Sequence, residues 1–493
     1  MSNVTLEKIL KDIDEIHRDL ARKSLDIRLG RTAVLNTGDI LESHQTPLRP
    51  KTWEFLKKTM RNFEDKEGAE RIERVLYACA DLAIEEQVAS LADMLNFYME
   101  RGRMHVEDER VPALEVVPWL QGEADFQKRE TMLSECNIFF KGIVNPMLLA
   151  MLELTIRAVK EKFGFSDFAA FCEKKKQADF NKSADTYQDY LTSTQDIYDA
   201  NMAPWVEEVI GRPFENIGRF HALYLLRIKT HDRYFPVESL GETVARTFRG
   251  IGLDLSTRDD IKTNLATYTS KNPDGVCIGI EIPGDVHVLM KPVGGLIDVE
   301  TLLHEMGHAF FLGHFDQDLP LEYRRIYRSP ALDETFAFLF MELIENPAWA
   351  VNIAGMPTDQ ADELARITRV RKLCLIRRYI GKFLAELELH RRGNIKNHEP
   401  YCRRLHEATG FVYEPQGYLV DMDPDFYSYD YLLAWAGANV LRNFLENQFG
   451  AEWFTNVRAG DFLRMIASSG RRYSLEETLI SACGQGPSLP HFS

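Results

Sequence analysis

Residues 298–315 read DVETLLHEMGHAFFLGHF. Asp298 is placed to cap a helix beginning at Val299, and Leu302, Leu303, Met306, Phe310 and Phe311 supply that helix with a buried surface. A four-residue spacing on a helix puts His304 and His308 on one face, one turn apart, where both imidazoles reach a single ion. Zinc suits two imidazoles and a carboxylate and leaves its fourth position for water. Glu305 lies beside these histidines without being a ligand, placed to take a proton from that water. The expectation is one zinc per chain.

A third ligand should come from a neighbouring helix. Residues 329–346, SPALDETFAFLFMELIEN, open with Ser329 as the cap and Pro330 at the first helical position. Glu334 follows among apolar neighbours, Ala331, Leu332, Phe336, Ala337 and Phe338. A carboxylate on such a face needs a partner, and zinc would be one. Asp333 and Glu342 compete for the role; by helical position Glu342 is better placed to accept a hydrogen bond from a ligand histidine.

Upstream, GVCIGIEIPGDVHVLMKPVGG (275–295) alternates apolar and polar residues around Pro283-Gly284-Asp285. That pattern predicts a hairpin with strands near 276–282 and 286–291. The second of these is expected to pair with an extended peptide through its backbone. His287 on that strand is assigned no role.

The first two hundred residues read as helices. Ile84, Val88, Leu91, Leu95 and Tyr98 recur at steps of four and three, and Gly102 supplies a stop. Residues 101–122 lose the period and carry two prolines, which predicts a loop. Helical pattern resumes through Leu133–Phe163 and Ala184–Ile210. The fold class expected is mainly α, elongated and two-lobed, with a deep cleft and one small β-sheet near the motif helix. Residues 1–214 would form an N-terminal helical region and 215–493 the metal-binding region.

Composition narrows the function. Apolar residues make up 45% and charged residues 27% of the chain, ordinary for a globular protein. A net charge of −16 disfavours nucleic acid and anionic membrane surfaces as partners. Seven scattered cysteines with no C-x-x-C disfavour a disulfide framework or a thiolate zinc site, and they suit a reducing compartment. The N-terminus, MSNVTLEKILKDIDEIHRDLARK, is charged throughout, unlike a signal peptide. The most apolar region, 138–156, contains Lys141, Asn145, Pro146 and Glu153, which argues against a membrane span. A cytoplasmic location is expected. The basic run from Arg366 to Lys382 reads as a solvated face balanced by the acidic remainder. There is no phosphate-binding glycine loop, nucleophile elbow or dinucleotide fingerprint.

Together these residues resemble the thimet oligopeptidase and oligoendopeptidase F family of gluzincin metallopeptidases. TLLHEMGHAFF is similar to that family's active-site helix, including the glycine before the second histidine. Glu334, thirty residues after His304, falls about where those enzymes place their glutamate ligand. RYFPVESLGETVARTFRGIGLDL (233–255) resembles the segment leading into the catalytic region. FYSYDYLLAWAGANVL (426–441) resembles a tyrosine-rich segment in which one hydroxyl stabilises the tetrahedral intermediate. The resemblance covers roughly residues 190–450. It implies hydrolysis of oligopeptides with Glu305 as general base. It also implies Tyr431 as the catalytic hydroxyl, with Tyr427 and Tyr429 lining the substrate cleft. The chain departs from the family in carrying Phe311 where many members have a third histidine, and in having no histidine between His406 and His491. A metallocarboxypeptidase of the same chemistry and a catalytically silent, zinc-stabilised binding protein are the alternatives.

Overall fold

A helix needs its first amides satisfied, and two long helices of the N-terminal region begin where a side chain does so. In the computed structural model, which describes residues 4–32, 34–268 and 271–492, Thr5 caps the helix Leu6–Arg28 and Asp65 caps Lys66–Arg101. The second of these ends at Gly102, as the stop signal indicates. Helices dominate the chain, with two small sheets of two and three strands. The mainly α expectation holds.

The stretch 101–122 differs from the expected loop. It contains an antiparallel hairpin, β1 (Arg103–Val106) and β2 (Glu109–Pro112), followed by a short helix, Val116–Gly122. Met104, Val106 and Val111 point inward from it at period two. The turn is made by Glu107 at φ 53°, a conformation that gives no glycine or asparagine signal in the sequence. Beyond it, Phe126–Phe139, a π-helical turn at Phe140–Val144 and Asn145–Glu161 form one continuous helical run. By length and composition this run is long and apolar enough to cross a membrane, which the shorter sequence window did not indicate. Only 6% of its most apolar 18-residue window is buried.

The second sheet has the order β3-β5-β4, with β3 (Ile261–Asn264), β4 (Val276–Glu281) and β5 (Asp285–Leu289). The two hairpin strands fall where the alternation placed them. However, β5 is the central strand, parallel to β3 on one side and antiparallel to β4 on the other. Its backbone is therefore committed, and it cannot receive a peptide. The edges belong to β3 and β4, and Ile278 and Ile280 of β4 pack against Leu25 of the first helix and Leu29 just past its end. Arg325 donates to the carbonyls of Gly279 and Ile280 on that same strand.

Two apolar cores share the work. Ile9, Ile13, Leu41, Leu56, Ile72 and Leu76 build one within the first eighty residues. The main core runs across residue 214, from Phe171 and Met202 to Phe310, Phe340 and Leu441. Only the start of the basic run, Arg366 and Arg369, is a solvated face. Arg371 pairs with Glu300, Lys372 with Glu342 and Glu345, Arg378 with Asp421, and Lys382 with Asp423, all largely buried. Arg377, fully buried, donates to the carbonyls of Leu191 and Ala408. A buried cation needs such partners, and helical spacing alone does not reveal them.

Candidate metal centre

The motif helix spans Leu296–Leu312 and the glutamate helix Ala331–Met341. Each starts slightly away from its expected position. Gly295 is the cap of the first, and Asp298, one turn in, accepts from the amides of Val293 and Gly294. Pro330 is the cap of the second, while Ser329 Oγ accepts from the Ala331 amide. What brings the two helices together is Gly307. A Cβ built there would lie 2.6 Å from the Phe336 carbonyl oxygen and 2.7 Å from Ala337 Cα. Only a residue without a side chain permits that approach.

The close crossing places Glu334 over the two histidines. Its Oε2 lies 3.5 Å from His304 Nε2 and 3.6 Å from His308 Nε2. One ligand atom from each residue falls within 4.8 Å of the others, a spacing that fits a single metal ion. Two observations support that fit. Glu334 Oε2 is buried with no hydrogen-bond partner, a costly state that a cation would relieve. Burial also lowers both histidines to about 4, so each imidazole is neutral and has a lone pair to offer. The other carboxylate, Oε1, accepts a 2.5 Å hydrogen bond from the Tyr427 hydroxyl, which fixes its rotation.

Glu305 is buried beside this triad and does not join it. Its carboxyl is pushed up to about 8, first by burial and then by the Glu334 carboxylate, against a hydrogen bond from the Cys277 backbone. Gly275 passes close by, and a Cβ there would lie 3.3 Å from Glu305 Cγ. All four residues open into a cavity of about 480 Å³ that Tyr427 and Tyr431 also line. Tyr431 stacks among Phe338, Tyr379 and Tyr427, and its hydroxyl has no hydrogen-bond partner among the described residues. Burial and the nearby Glu334 hold that phenol well above its usual range, so it stays protonated and able to donate.

Two expectations need correction. Tyr429 does not line the cleft. Two residues along a helix turn a side chain by about 200°, and Tyr429 packs instead against Phe180 and Phe383. Glu342 touches neither ligand histidine; it lies about two turns past Glu334 and pairs with Lys372 and Arg442. Asp333 lines the cavity but is held by Arg471, which leaves Glu334 as the carboxylate facing the histidines.

Several residues of the cavity escaped the sequence reading, among them His17, Leu20, Arg325 and Tyr327. His17, on the first helix, faces the metal cluster from across the cavity. No hydrogen bond to its ring is found among the described residues, and burial together with Arg325 and Arg471 lowers it to about 4. A lone histidine in an ordinary amphipathic helix, nearly three hundred residues from the motif, carries no spacing signal. All seven cysteines are free, and none belongs to the group formed by His304, His308 and Glu334. The chain matches no protein-family profile and no curated protein sequence.

Proposed function

We propose that this protein is a zinc-dependent peptidase. The observation that carries the reading is the convergence of His304, His308 and Glu334, with Glu334 Oε2 buried and unpartnered between two neutral imidazoles. Zinc held there would polarise a carbonyl and make a water more acidic.

The remaining steps fall to the chain's own groups. Glu305, beside the triad and outside it, takes the proton of the attacking water on its carboxylate and passes it to the leaving amine nitrogen. Burial makes it a stronger base than a solvated carboxylate. Tyr431 donates its hydroxyl to the carbonyl oxygen as negative charge develops there. Tyr427, bonded to Glu334, orients the ligand and does not meet substrate first. This assignment departs from the substrate-binding role expected of Tyr427.

The resemblance to the thimet oligopeptidase and oligoendopeptidase F enzymes supports the class and suggests oligopeptides as substrates. Carboxypeptidase action uses the same groups and differs only in how the cleft ends. A silent zinc-stabilised protein is disfavoured by the intact Glu305 and the unpartnered Tyr431 hydroxyl. The free cysteines suit a reducing, cytoplasmic setting. Digestion of a mixed peptide library, read by mass spectrometry with and without a chelator, tests the proposal. Chelator-sensitive cleavage is expected; cleavage untouched by metal removal, or none at all with zinc supplied, would reject it.

A further inference from the structure

A second cavity, of about 580 Å³, adjoins the metal site. His17, Arg325 and Tyr327 line both spaces and form the neck between them. Two helices face each other across it. Leu148, Met151 and Leu152, with Thr155, lie on one face of Asn145–Glu161 at the spacing of a single helical stripe. Leu82, Glu85 and Val88 oppose them from Lys66–Arg101. The apolar stripe is only half-buried, and it belongs to the helical run whose most apolar window is 6% buried. Apolar surface left open in a concave wall marks a binding site more often than a defect.

We propose that this cavity is the subsite for a bulky apolar residue of the peptide, on one side of the bond that is cut, and that it rejects acidic residues. The inference rests on the peptidase reading of the adjoining metal site. Adjacency at the His17 neck argues for the peptide as occupant, because a chain laid across the zinc ligands passes beside this cavity. The neck also offers the unpartnered His17 ring, neutral at physiological pH, as a hydrogen-bonding group for a peptide backbone. Charge settles the selectivity. Lys175 is spent on Asp81 and Asp425, and Arg325 on Asp14 and Glu281. Glu85 has no ion pair among the described residues, and burial pushes its carboxyl up to about 7, so the lining offers no unspent cation. An acidic side chain entering there finds no counter-charge in a poorly solvated space.

The test uses internally quenched decapeptides of glycine and alanine, with one Phe, Ala or Glu moved through three positions on either side of the cut. At one position wild-type kcat/KM should favour Phe over Ala by at least tenfold and Glu least of all. Met151→Gln or Leu152→Gln, both on the half-buried stripe, should erase the Phe preference while leaving the all-Ala peptide within about twofold. Binding of the same peptides to Glu305→Gln protein, read by anisotropy, reports the subsite without hydrolysis. No cleavage of any peptide would sink the peptidase reading; absence of a Phe preference in binding would sink the subsite alone. A preference that survives both glutamine substitutions would overturn it too. So would substitutions that abolish association with anionic lipid vesicles yet leave peptide selectivity intact, since the stripe would then be a membrane contact.

Discussion

Gly307→Ala is the sharpest structural perturbation of the proposed site. The added methyl would lie 2.6 Å from the Phe336 carbonyl oxygen, 2.7 Å from Ala337 Cα and 3.0 Å from Ala337 N. All three are backbone atoms, so no side chain can rotate away. Carbon contacts are comfortable at about 3.5–4.0 Å, so the two helices must part by roughly 0.7–1 Å. Overpacking of this kind costs ~1–3 kcal/mol, and alanine's better helix propensity returns about 1 kcal/mol. A small loss, about 2 °C or less in Tm for a chain of this length, is therefore expected. Metal binding should suffer more. Ligand distances tolerate only about 0.2 Å, and the separation moves Glu334 away from His308 directly. Zinc affinity, measured by competition with a chromophoric chelator, should fall at least ~10-fold. Adding Ala337→Gly should not rescue it, since the clash is with the backbone of that residue and not its methyl. Wild-type zinc affinity in Gly307→Ala, or rescue by Ala337→Gly, would refute the role given to this crossing.

Other expectations follow from single contacts. Tyr427→Phe removes the donor to Glu334 Oε1 and should weaken zinc by ~10–100-fold, the usual scale for a group that orients a ligand. Tyr431→Phe should leave zinc and KM nearly unchanged but lower kcat by roughly 10²-fold; a fall within threefold would make that ring a wall residue. Glu305→Gln should keep fold and zinc while losing nearly all hydrolysis, and wild-type turnover would mean that another group moves the proton. His390, buried and lowered to about 4, titrates at its ordinary value near 6.5 only when the chain unfolds. The unfolded state then binds the extra proton between those values, so metal-free protein should lose stability as pH falls from 6.5 toward 4, by up to about 3 kcal/mol from this group. Urea midpoints at pH 7 and 5 should show a smaller drop for His390→Met than for wild type.

The residues that the sequence revealed are those tied to a short periodic pattern. His304, Glu305 and His308 stand at fixed helical spacing, and the structure keeps all three on the cavity. Glu334 was separable from Asp333 only in space, because the two are adjacent on the helix and Arg471 neutralises one of them from far along the chain. Pairing order in a sheet is equally non-local. Alternation located β4 and β5, but the arrival of β3 at Ile261–Asn264 decided that β5 is central. The tyrosines show the same limit, since helical phase separates Tyr429 from Tyr427 and Tyr431 only once the helix start at Tyr427 is known. His17 and the half-buried Leu148–Met151–Leu152 stripe gain meaning only from what faces them across a cavity.

The central claim is that His304, His308 and Glu334 hold one zinc ion, and elemental analysis of protein equilibrated with zinc and then desalted reads it directly. Wild type should retain one zinc per chain. His304→Ala, His308→Ala and Glu334→Ala should each lose most of it, whereas Asp333→Ala should retain it. Full occupancy in either histidine variant, or none in the wild type, would contradict the assignment.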